Sequence, residues 1–123
     1  MTDPRHALGI DAEEAVAMWL SASGWTILAR RHRTAAGGEV DLIALDRTET
    51  LVGVEVRARA SRRTGDGSET VDARRVGRIG RTLAAFAGAR GVPHTGLRID
   101  LVSLEPVPRE PGRWRARRLP IGR

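Results

Sequence analysis

The stretch Gly38-Glu39-Val40-Asp41-Leu42-Ile43, followed by Leu51-Val52-Gly53-Val54-Glu55-Val56-Arg57, decides how this chain is read. Both segments are short and rich in aliphatic and β-branched residues. The polar connector Asp46-Arg47-Thr48-Glu49-Thr50 lies between them. This pattern predicts two strands, over 39–45 and 51–59, joined as a hairpin. Strand side chains alternate between faces. Glu39 and Asp41 therefore share a face of the first strand, and Glu55 and Arg57 share a face of the second. The opposite face of the second strand is Val52, Val54, Val56 and Ala58, all apolar. The expectation is a sheet with one face on the core and the other carrying acid and base. A hairpin register that aligns the two strands would gather three carboxylates and one guanidinium.

Upstream, Leu8, Ala12, Ala15, Val16, Trp19 and Leu20 fall on one helical stripe that stops at Gly24. Trp25 to Ala29 reads as a strand running into the Arg30-Arg31-His32-Arg33 cluster, with a turn at Gly37-Gly38. Downstream, residues 60–70 are polar and Gly-containing, which predicts a mobile loop. Asp72 is placed to cap a second helix with Val76, Ile79, Leu83, Phe86 and Ala87 as its core stripe. Arg74, Arg78 and Arg81 fall on its opposite face, and Gly88, Gly91 and Pro93 end it. Leu97 to Leu104 reads as a fourth strand. A turn with Pro106, Pro108 and Pro111 then leads to a short basic fifth strand around Trp114, within a basic C-terminal extension over 105–123. The element order is α-β-β-β-α-β-β, an α/β domain with a mixed sheet flanked by helices.

The chain has 123 residues, 41% of them hydrophobic, which suits one domain and excludes wholesale disorder. All 21 basic side chains are Arg, there is no Cys, and the formal charge is +6. The charge is uneven: residues 1–60 hold 7 Arg against 9 acids, and residues 61–123 hold 14 Arg against 6 acids. Guanidinium groups match phosphate oxygens, so the basic half points to anionic partners. A Lys-free chain is equally read as a coding bias, which accounts for the choice of Arg but not for the net excess. The missing Cys excludes disulfides, thiolate metal sites and Cys nucleophiles. No long apolar segment follows the N-terminus, so no membrane span is expected and a cytoplasmic protein is the default.

Clustered carboxylates repel one another and persist best around a cation. Oxygen-only ligands suit Mg²⁺ or Mn²⁺, which activate water and stabilise charge on a phosphodiester. Glu13, at the border of the first helical stripe, can reach a site beside the sheet. Spacing alone favours a solvated first-turn position for Glu13, and a solvated strand face with cross-strand pairs for Glu39, Asp41 and Glu55. His6, His32 and His94 lack metal-ligand spacing. Trp114, among Arg113, Arg115, Arg117 and Arg118, is the one aromatic placed to stack on a base.

The two motif segments, together with Gly9, Glu13, Gly24-Trp25-Thr26-Ile27-Leu28 and Arg98-Ile99-Asp100-Leu101-Val102, resemble the YraN family of small bacterial proteins. That family is similar to the PD-(D/E)xK nucleases, with the restriction-endonuclease-like fold also seen in Holliday-junction resolvases. The resemblance covers nearly the whole chain. It implies Glu13, Asp41 and Glu55 as ligands of Mg²⁺ or Mn²⁺, with Asp41, Glu55, Arg57 and Glu39 as catalytic candidates. Arg31, Arg33, Arg59, Arg74, Arg75, Arg78 and Arg81 are the candidates for nucleic-acid contact.

The implied function is a metal-dependent endonuclease acting on DNA, with branched or otherwise structured DNA among its substrates, and a homodimer as the assembly. The departures are Arg57 where the motif has Lys, Gly53 where a large apolar residue is usual, and Arg75 or Arg74 where the second helix has Lys. Arg cannot accept a proton. The alternative is therefore a nucleic-acid-binding protein with a weak or inactive site. Gly53 shares a face with Arg57 and is read as leaving room for its bulk. Asp100 is read as a cap or a partner for Arg.

Overall fold

The computed structural model describes residues 4–34, 38–58 and 72–122, with the side chains of the first helix from Ala12 onward. Helix α1 (Pro4–Ala22) is followed by β1 (Thr26–Arg33), β2 (Glu39–Leu45) and β3 (Thr50–Ala58). Helix α2 (Ala73–Arg90) then precedes β4 (Gly96–Pro106) and β5 (Trp114–Gly122). This is the predicted α-β-β-β-α-β-β order. The strands form one mixed sheet in sequence order, antiparallel except for β3 with β4, which run parallel. Parallel neighbours need a crossover connection, and α2 lies within it.

The sheet has two packed faces. On one, Ala12, Val16, Ala17 and Leu20 of α1 meet Leu42, Val52, Val54, Val102 and Leu104. On the other, Ile79, Leu83, Phe86 and Ala87 of α2 meet Val40, Ile43, Leu51 and Ile99. Both faces are thus covered, as the expected sheet flanked by helices requires, and the α2 face carries Glu55 beside its own core layer. The crossover helix α2 folds back onto one side of the central parallel pair, and α1 covers the other. The α1 stripe also differs from its reading: Ala17 is buried, whereas Trp19 stands at the exposed edge.

Helix α2 follows the predicted capping. The Asp72 carboxylate accepts the Arg75 N–H at 2.9 Å. At the other end Gly91 takes the left-handed conformation (φ 60°) that closes a helix C-terminus. Two strands are longer than predicted. β1 continues through the Arg cluster to Arg33 because that edge pairs with Val40 and Glu39 of β2. β5 spans nine residues and pairs with β4 along most of its length. The alternation of small and large apolar residues with Arg on β5 matches an edge strand over a core, not a loose extension.

Gly53 has a different role from the one expected. A Cβ there would lie 3.0 Å from Ile79 Cγ2, 3.5 Å from Val40 Cγ1 and 3.7 Å from Leu83 Cδ1. The missing side chain lets α2 approach the sheet and has no direct connection with Arg57. The predicted loop over 60–70 and Arg59 lie outside the described residues. Among the described residues, no helix is long and apolar enough to cross a membrane.

Candidate active site

The β2–β3 ladder runs from Leu45↔Leu51 to Leu42↔Val54 and stops there. Beyond it the strands part, and strict alternation lapses: Val40 packs in the α2 layer with Ile43, while Leu42 packs in the α1 layer. Asp41 sits in this gap. Its Oδ2 accepts the Val56 N–H at 2.8 Å, so a side chain takes the backbone donor that the ladder leaves unpaired. That anchor fixes the carboxylate between the two faces of the sheet.

Glu13 approaches from the α1 side. Its carboxyl interacts electrostatically with that of Asp41 and pairs with Arg31 at 3.3 Å. Its neighbour Glu14 points outward to Arg30. Glu55 enters from the α2 side and is 2% exposed. Its Oε2 accepts from the Arg75 guanidinium, while its Oε1 is buried with no hydrogen-bond partner among the described residues. Asp41 thus stands between Glu13 and Glu55 at the end of the ladder, whereas Glu39, which the paired strands were expected to bring in, stays at the rim.

All three bind protons more tightly than usual. Burial, then the charge of Asp41, pushes Glu55 up to about 7, against the pull of Arg75 and Arg57. Burial also raises Asp41, although the Val56 N–H and Arg75 oppose it. Glu13 is raised by burial and then by Asp41, with Arg31 acting the other way. Carboxylates that are desolvated together hold on to protons unless a cation joins them.

The cation in direct contact is Arg75, which the sequence placed among the nucleic-acid contacts. Arg57 acts on Glu55 only through its charge. The signal for Arg75 was available: the Asp72 cap fixes Arg75 in the first helical turn, and that turn comes down over β3. It also resolves the choice between Arg75 and Arg74, whose side chain is exposed. Glu39 stands at the rim, half-exposed and paired with Arg33 at 3.4 Å. Arg31 and Arg33 are thereby engaged with Glu13 and Glu39. Arg74, Arg78 and Arg81 line the exposed side of α2.

Among the described residues, no three acidic or histidine side chains are grouped at ready metal-ligand spacing. The donors nevertheless fit a hard cation: Asp41 is anchored through one oxygen, and Glu55 offers a buried oxygen without a partner. Full use of Glu55 requires Arg75 to release Oε2.

A second ionic cluster lies toward the other end of the sheet. Asp100, fully buried, accepts two bonds from Arg98 at 2.8 and 3.0 Å and one from Arg118 at 2.9 Å. Arg98 also reaches Asp46 at 2.9 Å. Both guanidiniums lie over Trp25, 5.8 and 5.3 Å from its ring centroid. Asp100 therefore pairs with Arg, one of its two expected roles. Trp114 packs against the α1 layer, so the stacking role considered for it is not supported.

The family described as Uncharacterised protein family UPF0102 matches residues 12–104. The UPF0102 protein of Symbiobacterium thermophilum is 40% identical over 110 residues, covering 89% of this chain and 90% of that protein. That of Maricaulis maris is 41% identical over 110 residues, 89% of this chain and 80% of the relative. That of Anaeromyxobacter dehalogenans is 40% identical over 102 residues, 83% and 75% respectively.

Proposed function

The chain belongs to the family UPF0102, and from its site we propose a metal-dependent nuclease that hydrolyses phosphodiesters in DNA, including branched or structured DNA. The supporting observation is that Asp41 couples to both Glu13 and Glu55, all three with raised proton affinity, and that Glu55 keeps a buried oxygen with no partner among the described residues. Such crowding is costly to the fold and is relieved by a cation. Asp41 and Glu55 would hold Mg²⁺ or Mn²⁺, with Glu13 closing the site. The ion would lower the pKa of a water and neutralise charge on the phosphoryl oxygens.

The side chains of the chain define the rest. Asp41 is held in place by the Val56 N–H, so its free oxygen keeps one position through the reaction. Arg75, once released from Glu55, would be available to pair with the phosphate, with Arg57 adding charge on the same face. Neither can accept the proton of the attacking water. That proton would pass to a carboxylate oxygen of the site that the ion leaves free, or to bulk water.

Two observations favour a second reading. Arg75 occupies Glu55 as a fixed counter-ion, and no ready three-ligand group is present among the described residues. Both suit a protein that binds nucleic acid through its arginines without cutting it.

The test uses labelled linear, flap and four-way-junction DNA with Mg²⁺, Mn²⁺ or EDTA. Asp41→Ala and Arg57→Lys are run beside the native chain. Metal-dependent cutting that vanishes in Asp41→Ala supports the nuclease. Salt-sensitive binding without cutting, in the native chain and in Arg57→Lys alike, transfers the case to the second reading.

A further inference from the structure

The strand register divides the arginines of β5 between two faces of the sheet. Trp114 and Ala116 pack into the α1 layer, and Arg118 is committed to Asp100. Arg115 and Arg117 alternate with them and so point to the α2 face. On that face Arg57 of β3 is level with Ser103 of β4, and Ser103 with Arg117 of β5. One row therefore crosses three strands: Arg57, Ser103, Arg117. It lies next to the row that contains Glu55, which is level with Leu101 and, beyond it, Leu119.

Helix α2 does not cover this row. Its contacts with the sheet centre on Gly53, Ile99 and Gly122, which lie further along the strands. Ser103, Glu105, Arg115 and Arg117 line an open hollow of about 180 Å³. Glu105 is level with Arg115, an opposite-charge cross-strand pair, and has interactions of its own. Arg117 instead faces a neutral hydroxyl. Among the described residues, no salt bridge takes up Arg57 or Arg117, whereas Arg113 is paired with Glu110 at 2.6 Å.

We infer that Arg117 and Ser103 form a second phosphate-binding position, which holds the nucleic-acid strand where it leaves the carboxylate site toward β5. The inference rests on the proposed reading of that site. Two strand spacings separate the backbones of Arg57 and Arg117 by roughly 10 Å. A ligand with one phosphate uses one end of the row, and a polymer that repeats its charge uses both. Ser103 between them adds a donor without adding charge. Such contacts fix the register of a strand and carry no base preference.

Binding of labelled DNA is measured in EDTA across a range of salt, so that no cutting occurs. Arg117→Ala should weaken binding several-fold and lower the slope of log affinity against log salt by about 1. Arg117→Lys should restore most of the affinity. Arg113→Ala removes the same charge from the nearby turn and should leave the slope unchanged. Equal losses in Arg117→Ala and Arg113→Ala, or no loss in Arg117→Ala, would overturn the inference. A native chain that cuts DNA but binds it without help from Arg117 keeps the nuclease and removes the row. Arg117-dependent binding without cutting under any metal does the reverse.

Discussion

The Asp41 carboxylate accepts the Val56 N–H at 2.8 Å, across 15 residues of sequence, where the β2–β3 ladder ends. One side chain therefore completes the hairpin and forms part of the site. Substitutions at 41 should separate these duties. Asp41→Ala leaves a partly buried N–H unpaired, at a cost of about 1–3 kcal/mol. Asp41→Asn keeps an acceptor and removes a charge repelled by Glu13 and Glu55. Urea unfolding should rank Asn above Ala in stability, and neither should support metal-dependent cutting. Equal stability for the two would mean that the Val56 bond contributes nothing.

Glu55 makes stability depend on pH in an unusual direction. Its pKa rises from 4.5 unfolded to about 7 folded. Between those values the native chain binds more protons than the unfolded one, so stability falls as pH rises. The fall is on the order of 3 kcal/mol. Asp46, whose pKa is lowered, acts in the opposite sense, and its gain is complete just above 3.8. Melting temperatures should therefore drop from pH 5 to pH 8, and Glu55→Gln should flatten the drop. Mg²⁺ or Mn²⁺ should restore stability most at the alkaline end, and a uniform effect across pH would argue against binding at this site.

Arg75→Ala removes the partner of a buried carboxylate. Such losses are strongly destabilising in the interior. Arg75 is itself half-exposed, which reduces the expected cost to about 1–3 kcal/mol at pH 8. At pH 5 a protonated Glu55 needs no counter-ion, so most of the loss should disappear. Chemical denaturation at both pH values decides this, and a loss independent of pH would mean that Arg75 acts by packing.

Asp100→Ala should be the most damaging of these changes. It removes the shared, fully buried partner of Arg98, which keeps Asp46, and of Arg118, which is partly exposed, at a cost of roughly 2–4 kcal/mol. The site carboxylates are not part of this cluster, so any protein that folds should keep its affinity for DNA. A folded Asp100→Ala protein that has lost DNA binding would show the two clusters to be coupled.

The motif strands were legible because alternation and a polar connector are local signals. The cap at Asp72 and the left-handed Gly91 were equally local. What escaped was set by tertiary packing. The core stripe of α2 was legible, but not the strands beneath it, because no two-residue period encodes the parallel pairing of β3 with β4. Gly53 was assigned to the neighbour on its own strand, whereas its contact is Ile79 on a distant helix. Arg75 was given to the nucleic-acid surface because a helix face predicts exposure, not the carboxylate beneath its first turn. The convergence of Glu13 with Asp41 came from resemblance, since spacing alone left Glu13 to solvent.

The crossover between β3 and β4 also sets an order of events. The first three strands are antiparallel neighbours that pair locally, and such contacts form early. Glu55 is sealed from water only once α2 closes over β3. At pH 6 an unfolded Glu55 is ionised, and the sealed one holds a proton. The docking of α2 is therefore a proton-consuming step. A pH indicator in a weakly buffered stopped-flow refolding experiment should show it, with the signal lost in Glu55→Gln.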